Sequence, residues 1–346
     1  MKRFFLVLQI SVFFILFVVK ANAQLQTKLF ISLPEYCPIP DNMALAPDGT
    51  LTLTCPNFKG GKEGIIVSIT TDKKVAKLAQ LSGREEGLIG KPMGLDYAPD
   101  GSLFVCNNQG KGKGQVLRLT FKDGVVDSTQ VVASGISPNG LKYSNGYVYV
   151  TQPRMRKLSE TSIVGGVYRF KQSDRNVVVS GKKNDPYLIF TAETTNPQRK
   201  AGLDGLTFDK NGNLYVAEFG DATIYKLSID QKGKVINDEI YAQLALNTGI
   251  DGMLMDEKNN LYVVGFSLNQ LVKVDANKNI SILAEYPDND GSNGELDQPV
   301  DLCFFDGKLL ISNFDSMTAP GMVNKSHNKP YTISYIDIKD LDKKFK

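Results

Sequence analysis

The stretch GLDGLTFDKNGNLYVAEFGDATIYKL, residues 202–227, predicts three short strands joined by tight turns. The apolar segments LTF and NLYVA flank DKNG, which is typical of a β-hairpin turn. TIYKL alternates apolar and polar residues, which suits a half-buried third strand. Because antiparallel neighbours run in opposite directions, Asp204 before the first strand and Glu218 after the second should lie at the same end of the sheet.

Nearly the same pattern occurs six times along the chain. The copies begin at intervals of roughly 46–65 residues, a period typical of propeller blades, at Asp41, Met93, Asn139, Asp204, Asp251 and Val300. Because the copies carry Asp-Gly and Asn-Gly hairpins and no helical periodicity, they predict an all-β fold, a six-bladed β-propeller. Each unit is too small to bury both of its faces, so the blades must pack on one another.

The two ends of the chain suggest how the ring closes. Four copies carry a candidate fourth strand, whereas the last copy ends in the charged sequence LDKKFK. The segment TKLFISL at 27–33 precedes the first copy and has no blade of its own. We therefore predict that it closes the ring as the outer strand of the sixth blade, which would leave no open sheet edge.

The first 23 residues have the features of a signal peptide. Lys2 and Arg3 precede an apolar run, and the sequence ANA at 21–23 fits a small-residue cleavage site. The alternative is an uncleaved membrane anchor, because the apolar run is slightly long for a signal. We expect export to the periplasm or the cell exterior, and a single propeller domain over residues 24–346.

Charge balance limits the partners of the exported chain. Cleavage removes Lys2, Arg3 and Lys20 from the 40 basic residues, so the remainder equals the 37 acidic residues. A chain without net charge is not expected to bind nucleic acid or an anionic membrane. The expected partner is therefore a small molecule, and the sequence leaves the oligomeric state open.

Four cysteines enter an oxidising compartment if the chain is exported. Cys37 lies just ahead of the first strand of blade one and Cys55 ends its second strand, so a disulfide bond at that end of the sheet is one outcome. Free buried thiols, including Cys106, are the other. Cys303 lies within LCFF and is assigned to the core.

The start of the first strand in every blade points to a shared site. First strands line the channel of a propeller, so their starts should converge at one face. Three carboxylates and one carboxamide would meet there, from Asp41, Asn139, Asp204 and Asp251. None of the six starting positions is basic, and converging carboxylates repel one another unless a cation joins them. For each position alone, a polar turn residue before glycine is the alternative.

The type of donor indicates which cation would fit. Oxygen ligands suit calcium, or magnesium or manganese, better than zinc. The only histidine, His327, lies in the polar sequence NKSHNKP, which excludes zinc sites built on several histidines and Ser-His-Asp triads. A second ring of polar residues ends the second strands and could bind sugar hydroxyls, or form a solvated rim, at Asn107, Gln152, Glu218 and Asn313.

The stretches SPNGLKYSNGYVYVTQP (137–153) and 202–227 resemble the senescence marker protein / gluconolactonase family, six-bladed propellers that include many lactonases. The resemblance implies one channel metal, typically calcium, whose ligand positions fall on Asp41, Met93, Asn139 and Asp204. Met93 departs from the pattern, because a thioether is a poor ligand for a hard cation. Water, substrate or Asn107 would have to fill that place.

On this resemblance we expect a gluconolactonase-like hydrolase that opens a small, sugar-type lactone. Asp204, or else Asp251, would deprotonate the attacking water. The alternative in another class is a secreted, non-catalytic propeller that binds a sugar, peptide or protein, which Met93 and Val300 in the channel favour. A third is a metal-free enzyme resembling strictosidine synthase. The fold alone does not choose among them.

Overall fold

The computed structural model of the chain describes residues 24–343. The predicted signal peptide at 1–23 lies outside the described residues. No helix within 24–343 is long and apolar enough to cross a membrane. Residues 24–343 form six mainly antiparallel sheets, of which five have four strands and one has five.

The first strand of the described residues, β1 (Lys28–Ser32), precedes blade one but does not belong to the sheet of any of the first three blades. Blade one comprises β2 (Met43–Leu45), β3 (Leu51–Cys55), β4 (Ile65–Ile69) and β5 (Val75–Gln80). Blade two comprises β6 (Pro92–Tyr97), β7 (Leu103–Asn107), β8 (Gly114–Lys122) and β9 (Val125–Ile136). Blade three comprises β10 (Leu141–Ser144), β11 (Tyr147–Gln152), β12 (Ile163–Lys171) and, after the short β13 (Val177–Val178), β14 (Leu188–Thr194). Strand β13 pairs in parallel with β9 and so extends the sheet of blade two.

The remaining blades follow in chain order. Blade four comprises β15 (Leu203–Phe208), β16 (Leu214–Glu218), β17 (Thr223–Ile229) and β18 (Val235–Gln243). Blade five comprises β19 (Ile250–Met255), β20 (Leu261–Gly265), β21 (Gln270–Val274) and β22 (Ile280–Glu285), with a 3₁₀ turn at Phe266–Leu268. Blade six comprises β23 (Pro299–Phe305), β24 (Lys308–Asn313) and β25 (Thr332–Asp337), followed by the helix α1 (Ile338–Lys343).

Strand β1 completes the sheet of blade six. It pairs antiparallel with β25, with Lys28 opposite Tyr335 and Ser32 opposite Thr332. The sheet order is β1-β25-β24-β23, so β1 is its outer strand. The first and last strands of the described chain therefore lie in the same blade.

The hydrophobic core lies between neighbouring blades as well as within them. The rings of Tyr149 in blade three and Phe208 in blade four meet edge to face, with centroids 5.0 Å apart. Tyr262 in blade five and Phe304 in blade six make a similar contact at 6.0 Å. Aromatic pairs of this geometry stabilise beyond the area that they bury, so they help to hold adjacent blades together.

The glycine that follows the start of the first strand in four blades has a packing role. A Cβ atom on Gly205 would lie 2.2 Å from the backbone oxygen of Asp251 in the next blade. A Cβ atom on Gly252 would likewise lie 2.4 Å from the backbone oxygen of Val300. Only glycine allows the first strands to approach this closely around the axis. At these junctions the glycine is thus required for the packing of neighbouring blades, not only for a local turn.

Blades six and one meet through side chains instead. Asp301 occupies the position that is glycine in four other blades, and its Oδ2 accepts a hydrogen bond of 2.8 Å from the backbone nitrogen of Met43. The Oγ of Ser312 donates to the backbone oxygen of Asp41 at 2.6 Å. Both bonds are buried and join residues from opposite ends of the chain, so they secure this junction at the axis.

Of the two arrangements of cysteines that the sequence left open, the structure has the one with a disulfide bond at blade one. Cys37 and Cys55 form a disulfide bond, with their Cα atoms 5.5 Å apart. Cys106 and Cys303 are free and buried. Cys303 is therefore a core residue, as its apolar sequence context predicted.

We expect Gly205→Ala to lower the free energy of unfolding by about 1–3 kcal/mol, because the methyl group would overpack the junction with blade five. Urea unfolding of residues 24–346 would measure the loss. Lys210→Ala, at an exposed position in the same blade, is the control and should leave the midpoint unchanged. A Gly205→Ala variant as stable as the parent would show that the first strands can separate without penalty.

Candidate functional site

A cavity of about 920 Å³ opens where the first strands begin. Its lining includes all six residues at the starts of the repeats: Asp41, Met93, Asn139, Asp204, Asp251 and Val300. Residues that are far apart in sequence therefore converge, as expected for the first strands of a propeller. We call the group formed by Asp41, Asn139, Asp204 and Asp251 the polar floor.

Asp41 and Asp204 are buried and Asp251 is half-buried, and the carboxylates of the polar floor lie close enough to influence one another. Burial, followed by the charges of Asp204 and Asp301, raises the pKa of Asp41 well above its usual value. Burial, and then the charges of Asp204 and Asp41, does the same to the pKa of Asp251. The pKa of Asp204 rises to about 8, chiefly through burial, although Nδ2 of Asn139 donates to its Oδ1 at 2.5 Å. Neighbouring groups therefore do not fully neutralise the negative charge of the polar floor.

Lys142, a half-buried residue of the first strand β10, acts on acids other than those of the polar floor. The charges of Asp301 and Asp96 raise the pKa of Lys142 against the effect of burial. Lys142 is not among the groups that shift the pKa values of the three acids of the polar floor. The prediction from the six starting positions leaves this lysine out, because it lies three positions after Asn139.

The polar floor has the chemistry of a site for a hard cation without being preassembled as one. In the described part of the chain, no group of three or more Asp, Glu, His or Cys side chains is arranged to hold a metal ion. Asp41, Asn139 and Asp204 offer two carboxylates and one amide oxygen in the same cavity, and these donors suit calcium. Met93 adds only a thioether at the neighbouring position. The donors fit a divalent cation, and water or substrate would have to supply its remaining ligands.

The predicted second ring does not face the cavity. Its four members are buried, and none belongs to the cavity lining: Asn107, Gln152, Glu218 and Asn313. Oδ1 of Asn107 accepts a hydrogen bond of 2.9 Å from the backbone nitrogen of Lys91, and its Nδ2 donates to the backbone oxygen of Ser82 at 3.0 Å. Glu218 accepts a hydrogen bond from Thr194 Oγ1.

These contacts change the interpretation of the second ring. Gln152 donates to the backbone oxygen of Arg154 at 2.9 Å, and Asn313 donates to Ser334 Oγ at 2.8 Å. Because such bonds use the polar atoms to brace nearby loops and strands, the geometry does not support the predicted contacts with sugar hydroxyls. Nor does it support Asn107 as the missing ligand beside Met93.

Aromatic side chains form one wall of the cavity. Phe219, Phe266 and Phe314 each follow the second strand of a blade directly, and Phe58 comes from the loop after β3. Successive ring centroids lie 5.9 Å apart between Phe58 and Phe314, 5.8 Å between Phe314 and Phe266, and 5.8 Å between Phe266 and Phe219. We call this continuous row the phenylalanine wall.

This wall was not predicted from the sequence, although part of its signal is present there. The sequences EFG, GFS and NFD place a phenylalanine at the same position in blades four, five and six. The loop between β24 and β25 adds Met317, Pro320 and Met322 to the apolar lining. The basic residues of the lining come from loops beyond the strand ends: Lys59, Arg199 and Lys200.

Solved structures of other proteins share this arrangement of blades. A luciferin-regenerating enzyme matches with a TM-score of 0.61 and 14% identity over 90% of this chain and 94% of that one. The calcium-binding protein regucalcin of Agrobacterium tumefaciens strain C58 matches with 0.57 and 12% over 89% and 92%. A gluconolactonase of Xanthomonas campestris matches with 0.54 and 14% over 86% of both chains. Neither protein-family models nor curated protein sequences match this chain. At these identities the likeness confirms the fold, the six-bladed propeller predicted from the sequence.

Without a divalent cation, the stability of the protein should fall as the pH rises. A carboxyl group with a raised pKa keeps its proton when folded at pH values where the unfolded chain has released it. The free energy of unfolding therefore decreases between the usual value of 3.8 and about 8 for Asp204. We expect a lower melting temperature at about pH 8.5 than at about pH 5.5 in EDTA, measured by scanning calorimetry.

Asp251→Asn should reduce this difference, because the amide resembles the protonated acid and cannot ionise. Asp127→Asn, at an exposed position, is the matched control and should retain it. An unchanged pH dependence in Asp251→Asn would show that this carboxyl group does not carry the predicted penalty.

Proposed function

We propose that this protein is a metal-dependent hydrolase of small lactones. The observation that carries the proposal is the convergence of Asp41, Asn139, Asp204 and Asp251 on the floor of one large cavity. The fold is compatible with this chemistry, since one structure that shares it is a gluconolactonase and another is a calcium-binding protein. The ligand set expected from the resemblance supports a cation at the same place.

Three residues would hold the cation. Asp41, Asn139 and Asp204 would provide its protein ligands, calcium being the best match and magnesium or manganese the alternatives. When bound, such a cation supplies Lewis-acid polarisation of the ester carbonyl and offsets negative charge. Met93 leaves part of the coordination sphere to water or substrate, so we expect weaker binding than in a site with four protein oxygen ligands.

Asp251 is the better candidate for the general base. Its carboxylate lines the cavity and receives no hydrogen bond from another residue among 24–343. Its raised pKa makes it a stronger base near neutral pH than an ordinary aspartate. Asp204, the first choice from the sequence, accepts a hydrogen bond from Asn139 and serves as a ligand in this proposal, so it is less free to take a proton.

The proton transfers follow from this assignment. Asp251 accepts a proton as the water oxygen bonds to the lactone carbonyl carbon. When the ring carbon–oxygen bond breaks, the same carboxyl group returns the proton to the departing ring oxygen. The product is a hydroxy acid, and Asp251 is regenerated as a carboxylate.

We also propose that the chain is exported after removal of residues 1–23 and functions as a single domain over 24–346. The basic start, apolar run and cleavage sequence of the leader support export. The Cys37–Cys55 disulfide bond suits an oxidising compartment.

Calcium should raise the melting temperature of residues 24–346 after EDTA treatment. A ligand present at 100 times its dissociation constant stabilises by about 2.7 kcal/mol, which corresponds to roughly 4 °C for a domain of this size. Asp204→Asn should lose most of this shift because it removes a ligand charge, whereas Asp127→Asn should retain it. The absence of any shift in the unaltered protein would argue that Met93 marks a site that no longer binds metal.

Asp251→Asn should lower kcat for lactone hydrolysis by about 10²–10⁴-fold, because it removes the general base. Proton release in a pH-stat would measure turnover across a panel of lactones. The calcium-induced shift should persist in this variant, which separates the base from the ligands. Loss of both would place Asp251 in the cation site. A normal calcium shift without turnover of any lactone by the unaltered protein would favour a binding propeller.

A further inference from the structure

We infer that the cavity binds an aromatic anion, with its ring against the phenylalanine wall and its negative group paired with Arg199. The inference concerns binding and holds whether or not the bound molecule is hydrolysed. Its extension to the substrate, an aryl-bearing anionic lactone in place of a hydroxyl-rich sugar lactone, rests on the proposed function.

Arg199 is a buried cation that lacks a protein counter-ion. Only 8% of its surface is exposed, and it lines the cavity. Its Nη2 donates to the backbone oxygen of Asn247 at 3.0 Å, but it makes no ion pair with any carboxylate of residues 24–343. Burial alone lowers its pKa. A buried charge is normally paired, because desolvation without a partner is costly.

The geometry of the guanidinium group limits the missing partner. It carries five N–H donors in a planar fork and cannot accept a hydrogen bond. One N–H donates to Asn247, so the remaining donors can serve a ligand on the cavity side. Carboxylate and sulfonate groups match this fork and form strong charge-assisted hydrogen bonds.

The phenylalanine wall lies next to Arg199. The Cζ atom of Arg199 lies 5.7 Å from the ring centroid of Phe219, the last member of the wall. A planar ligand can therefore contact the wall and present its negative group to Arg199 at the same time. Rings packed on this row would adopt the offset or edge-to-face contacts that aromatic groups prefer.

The distribution of charge sets the orientation of the anion. The acids lie at the starts of the first strands, whereas Lys59, Arg199 and Lys200 come from the loops at 56–64 and 195–202. An anionic group is repelled by the polar floor and attracted to the basic loops. The neutral end of the same molecule, such as an ester ring, would then face the polar floor.

A sugar lactone matches this cavity less well. Its hydroxyl groups need several hydrogen-bonding partners, and the second ring that was expected to supply them is committed to neighbouring loops. The walls offer phenylalanine and methionine side chains instead. Burying unpaired hydroxyl groups against them would be unfavourable.

Fluorescence titration with 1-anilinonaphthalene-8-sulfonate tests the inference directly, since this probe is an aromatic anion. The titration uses residues 24–346 in EDTA, so neither a cation nor turnover is needed. We expect saturable binding that Arg199→Gln weakens at least tenfold. Arg156→Gln, at an exposed position in the loop after β11, is the charge-matched control and should bind as the parent does.

A neutral probe separates the charge from the wall. N-phenyl-1-naphthylamine lacks the sulfonate, so Arg199→Gln should leave its binding within twofold of the parent. Phe219→Ala should weaken both probes. Equal binding of the sulfonate by the parent and by Arg199→Gln would overturn the inference, as would an equal loss of both probes in Arg199→Gln.

The unaltered protein supplies a second test in case Arg199→Gln does not fold. Cinnamate should displace the bound sulfonate probe at concentrations at least tenfold below those required for cinnamyl alcohol, which has the same ring without the charge. Equal displacement would contradict the role of the anion.

If the charge preference is found but no lactone is hydrolysed, the binding inference stands and the hydrolase proposal fails. If lactones are hydrolysed without any preference for anionic aryl compounds, the hydrolase proposal stands and the binding inference fails.

Discussion

The close approach of neighbouring first strands around the axis is the constraint on which the structure depends. Gly205 and Gly252 have no room for a side chain against the next blade, and Gly94 is equally close to Leu141, with its missing Cβ only 2.4 Å from that backbone nitrogen. A hydrogen bond of 2.8 Å from the Gly94 nitrogen to the Asn139 oxygen joins the same two blades. Because the strands are this close, the residue before each glycine must face the common channel.

The same constraint creates the chemistry of the polar floor. Desolvation raises the pKa of Asp41, Asp204 and Asp251, and repulsion between carboxylates adds to it, from Asp204 at Asp41 and Asp251 and from Glu218 at Asp204. Protons or a divalent cation can relieve that repulsion. The stability of the ring and the occupancy of its channel are therefore linked, because the residues that start the blades are also the candidate ligands.

The loops at the mouth add properties that the strands do not have. The phenylalanine wall is apolar and continuous, whereas Arg199 brings a positive charge without a matching acid among the described residues. The floor and the walls thus favour different parts of one ligand. A polar, electrophilic group suits the acids, and an aromatic body with a negative substituent suits the loops.

Much of the fold was predictable because its determinants are local. Turn residues and strand alternation define each hairpin, and their recurrence defines six blades. The exposure of the second ring of polar residues was harder to predict. The local sequence around a polar residue at a strand end is the same whether its side chain faces solvent or bonds to a loop. Asn107 illustrates the difference, since its partners at Lys91 and Ser82 lie in a loop that the hairpin pattern does not describe.

The sequence by itself determined the repeat, the number of blades and the acids at the start of the first strands, because a strand's direction and its alternation of sides follow from neighbouring residues. Only the tertiary structure decided which polar groups have no hydrogen-bond partner in the protein and so remain available to a ligand. That depends on contacts between loops of different blades, such as Arg199 with Asn247 and Phe58 with Phe314. Such contacts join residues far apart in the chain, and no local pattern specifies them.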